Sequence, residues 1–247
     1  MTSGGFHLHL TGPLQSYGGP QGGRARDTRP HPTRSALTGM IAAAQGRARG
    51  TDLTDLDALT YTIRVDRPGE RLRDWHTIGG GYPKHQTVMT ANGNRRGDAL
   101  TYEDYFLTDA AFTVAVTGPT QLIDQAAAAL ARPVFPPHLG RRACPPALPV
   151  LIATSTDPIT DLDRLPLHRE QPHKDQPTVD ILFIAEHPPA DEPHRPPTRH
   201  INDAPLPGRR YASRPVWETQ RPLPAALCTG FGTPYLTALT AATRTTP

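Results

Sequence analysis

Cysteine is nearly missing from these 247 residues. Cys144 and Cys228 alone are too few for a disulfide framework or a zinc site. Lysine is scarcer than expected too, because every basic residue except Lys84 and Lys174 is an arginine. No stretch approaches the roughly 18 consecutive apolar residues of a membrane-spanning helix. The opening MTSGGFHLHL has neither the basic n-region nor the long apolar h-region of a secretory signal. A reducing, cytoplasmic location is the expectation. Walker A loops, HExxH, CxxC pairs and GxSxG elbows are all absent. Gly18-Gly19 and Gly79-Gly80-Gly81 lack the strand–turn–helix spacing of a nucleotide loop and read as flexible connections.

Proline is what the chain has in excess, 29 residues against 21 glycines. Together they fall short of the roughly 25–30% that marks disorder, which predicts a folded but loop-rich protein. The arginine bias reads either as a GC-rich codon preference or as a device for gripping phosphates bidentately. Charge is also segregated. Residues 1–50 carry six arginines against Asp27 alone, residues 125–156 carry Arg132, Arg141 and Arg142 with no acid, and residues 151–192 are strongly acidic. Residues 193–247 are basic again. A polyanion-binding face produces such segregation, and so do solvated loops.

Phe6, Leu8 and Leu10 alternate with His7 and His9, the period of a strand with one buried face. The Gly-, Pro- and Arg-rich stretch TGPLQSYGGPQGGRARDTRPHPT then reads as a long loop. Thr33 or Ser35 caps a helix whose Leu37, Met40, Ile41 and Ala44 share a face, and Gly46 stops it. Tyr61, Ile63 and Val65 mark a second strand. Asp66-Arg67-Pro68-Gly69 is a turn, and Arg71 to Ile78 reads as the hairpin partner. Residues 79–100 have almost no apolar content and carry a tip signal at Asn92-Gly93-Asn94, so they form a projecting arm.

Phe112, Val114 and Val116 give another strand. Pro119 opens a helix with Leu122, Ile123, Ala126, Ala127 and Leu130 on one face. Residues 133–149 are a proline-stiffened loop, and Pro149 to Thr154 is a strand. The order is an elaborated βαββαβ, an α+β fold of the ferredoxin-like (RRM-like) kind. It predicts a domain over 1–154 with residues 79–100 inserted. Residues 155–247 would be a smaller, β-rich, loop-dominated domain, with strands at Ile181–Ile184 and Arg214–Trp217.

The densest chemistry lies in RARDTRPHPTRSALTG, where an arginine-rich loop enters a helix start bearing Thr33, Arg34 and Ser35. Free N–H groups, hydroxyls and guanidinium groups converge there on a place for phosphate. An ordinary capped helix behind a solvated loop fits the same residues. His138, His168, His173, His187, His194 and His200 are spread over proline-rich sequence. Histidine-rich loops are commoner than histidine-ligated metals, so neither a metal nor another cofactor is expected.

GPLQSYG, RPHPTRSALTGMIAAAQG, RVDRPGERLRDWHT, TYEDYFLTDAAFTVAV and LGRRACPPALP, in that order, resemble the fifth CRISPR-associated protein family, specifically its type I-E CasD group. The resemblance covers residues 6–78 and 101–150. It implies a ferredoxin-like domain with a thumb hairpin, here residues 79–100. It also implies a non-catalytic role in Cascade, the RNA-guided surveillance complex, holding the 5′ handle of the CRISPR RNA. The implied partners are that RNA, the adjoining backbone subunit and the large subunit.

On that footing Arg26, Arg29, Arg34, Arg141 and Arg142 would grip handle phosphates, and Thr33 and Ser35 would add donors. Tyr17 is a candidate for stacking on a base, with packing over its loop as the equal alternative. Trp75 and Tyr82 read as packing residues. In the thumb, Lys84, Gln86, Arg95 and Arg96 would touch RNA or the neighbouring subunit. Type I-C relatives cut precursor RNA themselves, which makes metal-independent cleavage through Lys84, His85 and Tyr82 the alternative function. A stand-alone RNA-binding module is a further alternative, and the acidic stretch 151–192 suits protein contacts better.

Overall fold

The computed structural model describes residues 4–22, 25–90, 92–95, 98–173, 175–206 and 210–244. Four strands form its centre: β1 (Gly5–Thr11), β5 (Thr60–Arg67), β8 (Ala111–Thr117) and β9 (Leu151–Ser155). They lie side by side as β9-β1-β8-β5, each antiparallel to its neighbour. Helix α1 (Arg34–Ala44) lies between β1 and β5 in sequence, and α2 (Thr120–Ala131) between β8 and β9. Thr33 caps α1 as the sequence predicts, accepting from the Ala36 N–H at 3.3 Å. Leu37, Met40, Ile41 and Ala44 of α1 join Ile123, Ala126, Ala127 and Leu130 of α2 in one core with Phe6, Leu8 and Leu10.

The sheet does not stop at residue 154. β10 (Thr178–Ala185) pairs with the free edge of β5, and β12 (Arg210–Pro224) and β11 (Arg199–Leu206) extend it to seven strands. An open edge presents unpaired backbone donors and acceptors, and β10 satisfies them. Backbone pairing therefore crosses the boundary drawn from sequence between residues 154 and 155. β12 is also far longer than its Arg214–Trp217 signal, because its outer half pairs with β11 and its inner half with β10.

β1 is buried on both faces, not one. Its His7 and His9 face is covered by the segment from α3 (Pro158–Asp161) to His168, where Leu162, Leu167, Ile181, Phe183 and Cys228 form a second apolar cluster. One ion pair fastens that segment. Arg64 and Asp66 are both fully buried, with Arg64 Nε donating to Asp66 Oδ1 at 2.6 Å. The remaining guanidinium hydrogens go to the carbonyls of Leu162, Leu165 (2.8 Å) and Pro166 (2.7 Å), and Thr113 donates to Asp66 at 2.8 Å.

The hairpin expected from β5 into residues 71–78 does not form. Gly69, at φ +73, turns the chain beside Thr108, where a β-carbon would sit 2.4 Å from the carbonyl oxygen. The next strand, β6 (Glu70–Ile78), pairs along its whole length with β7 (Leu100–Thr108) in a second sheet. The stretch read as a loop supplies three more strands there: β2 (Leu14–Gln15), β3 (Tyr17–Gly22) and β4 (Ala25–Arg29). Ladder pairing is a backbone property, so glycine- and proline-rich sequence enters it without showing a side-chain period. Between β6 and β7, Thr90 N–H donates to the Asn94 carbonyl at 2.7 Å around Gly93, where the tip signal lies.

The 138–147 loop is stitched to this second sheet. Ser16 N–H donates to the Leu139 carbonyl at 3.0 Å, and Gly140, at φ +84, passes so close that a β-carbon would lie 1.8 Å from the Ser16 oxygen. Gly140→Ala should cost at least about 1–2 kcal/mol from the left-handed backbone alone. Gly39→Ala, in the open face of α1, should instead stabilise by about 0.5–1 kcal/mol. Thermal unfolding of both variants checks the pair. Arg64→Met strands a buried carboxylate and should destabilise by about 3–5 kcal/mol, read as a lowered urea midpoint.

Candidate nucleic-acid interface

Where β4 runs parallel to β7, Arg26 stands opposite Asp104. Asp104 interrupts the alternation of Tyr102, Phe106 and their neighbours with a charge on an inward-facing position, 5% exposed. Such a carboxylate needs a cation, and it has two. Arg26 grips it with Nε at 2.6 Å and with Nη2, while Arg141 Nη1 approaches to 3.3 Å. Arg141 also donates to the Arg26 carbonyl at 2.8 Å, and its guanidinium lies 5.0 Å from the Phe106 ring centroid. Burial pulls the Arg141 pKa below its ordinary value, opposed by Asp104.

Two guanidinium groups on one carboxylate leave an excess positive charge. Arg26 keeps 48% of its side chain open to solvent, and Arg142 is exposed beside Arg141. Loop 138–147 thus brings Arg141 and Arg142 to Arg26, which the sequence held more than a hundred residues apart. Arg29 lies further along β4, half-buried, with its Nε shielded and unbonded. Asp104 is the member of the cluster that the sequence reading passes over, and its signal is an acid among aromatics in a strand.

Other expected contacts are turned inward. Tyr17 is fully buried, edge-on to Phe112 at 6.2 Å, with its hydroxyl donating to Gln15 Oε1 at 2.6 Å. No base can reach that ring, so packing is its role. Arg34 is 8% exposed and bonded to Glu186 at 2.5 Å, with its guanidinium 5.3 Å from the Tyr61 ring centroid. The anion at the α1 N-terminus is the protein's own: Asp203 of β11 accepts from the Arg34 N–H at 2.8 Å. Arg214 bridges Asp203 and Glu186. Thr33 is 1% exposed and committed to its cap, and its hydroxyl meets that of half-buried Ser35 at 3.2 Å. The RPHPTR motif therefore welds the first third of the chain to β10–β12, and Thr33, Arg34 and Tyr17 are not phosphate or base contacts.

The distal arm is exposed. Lys84 and Gln86 stand in a 3-10 turn, and Arg95 donates to the Thr87 carbonyl at 2.8 Å. Arg96 lies outside the described residues. Trp75 and Tyr82 are not packing residues, each being 63% exposed. Trp75 shares its face of β6 with Arg71 and Arg73, which are paired to Asp27 (2.7 Å) and Glu103 (2.6 Å). Asp74, His76 and Asp104 place ligand atoms within 4.8 Å of one another, but Arg26 and Arg141 already occupy Asp104 and oppose a cation there.

The family model described as CRISPR-associated protein (Cas_Cas5) matches residues 5–219. "CRISPR system Cascade subunit CasD" of Escherichia coli (strain K12) is 33% identical over 176 residues, spanning 61% of this chain and 72% of the relative. A solved chain from a "CRISPR RNA-guided surveillance complex" superposes with a TM-score of 0.84 at 41% identity, over 98% of this chain and 100% of that one. A second, titled "Crystal structure of Cas protein", gives 0.61 at 28% identity, over 90% and 96%. With the family matched across α1, α2, the arginine cluster and nearly all of both sheets, this chain belongs to the Cas5 family of CRISPR-associated proteins.

Proposed function

We propose that this protein is a non-catalytic subunit of a type I-E Cascade complex, holding the 5′ handle of the CRISPR RNA and helping the complex assemble. In this reading the β9-β1-β8-β5 unit with α1 and α2 is the ferredoxin-like platform. Residues 79–100, carried at the end of the β6–β7 ribbon, are the thumb, reaching the adjoining backbone subunit, with the large subunit nearby. The observation that carries the reading is the Arg26–Asp104–Arg141 cluster at the base of the arm. Its buried carboxylate pre-orders two guanidinium groups whose spare donors suit phosphates, so little side-chain entropy remains to be lost on binding.

A non-catalytic role is supported by the arm's chemistry. Cleaving RNA without a metal needs a base and an acid held in place. Lys84 and His85 are exposed, and the His85 ring meets only the side-chain amide of Gln86, at 3.2 Å, among the described residues.

Handle RNA titrated over a range of salt tests the assignment. Arg26→Gln and Arg141→Gln should each weaken binding and lower the slope of log affinity against log salt by about 0.7 per lost phosphate contact on a single strand. Arg34→Gln should leave the slope intact and lower the melting temperature, because it breaks the bond to Glu186. An unchanged slope in the Arg26 and Arg141 variants would refute the phosphate assignment.

A further inference from the structure

The C-terminal helix α4 (Thr233–Arg244) lies beyond the residues the family model matches. Among its described side chains only Tyr235 is buried, at 1% exposure, while the adjacent Leu236 is 38% exposed. Tyr235 enters a pocket built from two histidines far apart in sequence. Its ring stacks on His168 at 4.3 Å between centroids and 16° between planes, and lies 4.9 Å from His9. The Tyr235 hydroxyl is 3.2 Å from His9 Nδ1, and His9 Nε2 is 3.1 Å from His168 Nδ1. Just before the helix, Phe231 meets His168 edge-on at 5.5 Å.

These contacts form a directional chain. With the phenol donating to His9 Nδ1, the His9 hydrogen must sit on Nε2, from which it donates to His168 Nδ1. Every contact then has one donor and one acceptor, and both imidazoles are neutral. A proton added at either imidazole would force the chain to reverse, with the phenol turning to accept from His9 Nδ1. It would also leave an imidazolium in a pocket where His9 is 1% and His168 7% exposed, with no carboxylate among the described residues free to pair with it. The other charged groups around the chain belong to β5: Arg64, Arg67 and Asp66. Arg64 and Arg67 oppose a further cation, and Asp66 is already committed to Arg64 and Thr113.

We propose that α4 is a releasable clasp: the Tyr235–His9–His168 chain holds it on the sheet, and it leaves as a unit, with the rest of the fold intact, when that chain gains a proton. Burial pushes His9 down to about 3 and lowers His168, from an ordinary value of 6.5. Groups that titrate lower when seated than when released favour the seated form fully above that ordinary value, and progressively less as pH falls below it. Each histidine that recovers its ordinary pKa on release weakens the seat by up to tenfold per pH unit.

Hydrogen exchange of the full-length chain, expressed as protection factors at pH 8 and pH 5, tests this. Amides of 236–244 should lose tenfold or more of their protection at pH 5, while those of β5 and β8 keep theirs. Tyr235→Ala should abolish α4 protection already at pH 8. His168→Asn keeps an acceptor for His9 but cannot take a proton, and should reduce the pH response to the share that His9 carries. Equal α4 protection at both pH values would overturn the proposal. So would loss of α4 only together with β5 and β8, full protection in Tyr235→Ala, or an undiminished pH response in His168→Asn.

Discussion

A guanidinium with no exposure to water sets the constraint that the rest of this structure obeys. Arg64 stands in a row that crosses the sheet through Phe183, Arg64, Thr113 and His9, on the face turned away from α1 and α2. Once its charge is there, the desolvation cost must be offset by a carboxylate and by acceptors on every remaining hydrogen. Asp66 supplies the first, and three carbonyls of residues 162–166 supply much of the second. The chain after β9 is therefore fixed over the sheet by electrostatic need as well as by apolar burial. Everything downstream is placed by that fixation: β10 against β5, Cys228 in the second cluster, and His168 against His9.

The same logic governs the arginines. Several arginines are consumed internally: Arg34 by Glu186, Arg71 by Asp27, Arg199 by Glu218, Arg214 by Asp203. The charge segregation along the chain is in part a map of its own long-range pairing, with the basic first segment meeting acids of the second half. What distinguishes Arg26 and Arg141 is stoichiometry, since they share one carboxylate and cannot both be neutralised by it.

Local signals in the sequence were reliable where side chains decide the outcome. The α1 cap at Thr33, its apolar face, α2 after Pro119 and the turn at Gly93 all follow from nearest-neighbour chemistry. Strand partners were less legible. β6 carries the alternation of a hairpin return, and only the close passage of Gly69 past Thr108 shows that it belongs to β7. β2–β4 have no apolar period because they take part through the backbone. Tyr17 in a glycine-flanked stretch looks exposed and is not, since its burial depends on Gln15, Phe112 and a loop more than a hundred residues away. Such facts are tertiary, and no window of sequence contains them.

The pairing of β10 with β5 also sets an order in time. Val65 and its partner Leu182 are separated by roughly 120 residues, so β5 is synthesised long before the strand that closes its edge. At roughly 5–20 residues per second, that edge stays uncapped for about 6–24 s in every round of translation. Its ladder groups are open to any other nascent strand for that interval. The alternating Thr60, Thr62 and Arg64 give it polar positions during that exposure, and Pro68 closes one end with a residue that offers no N–H. A long-range sheet of this kind folds slowly for its size, and the strand that completes it arrives in the last third of the chain.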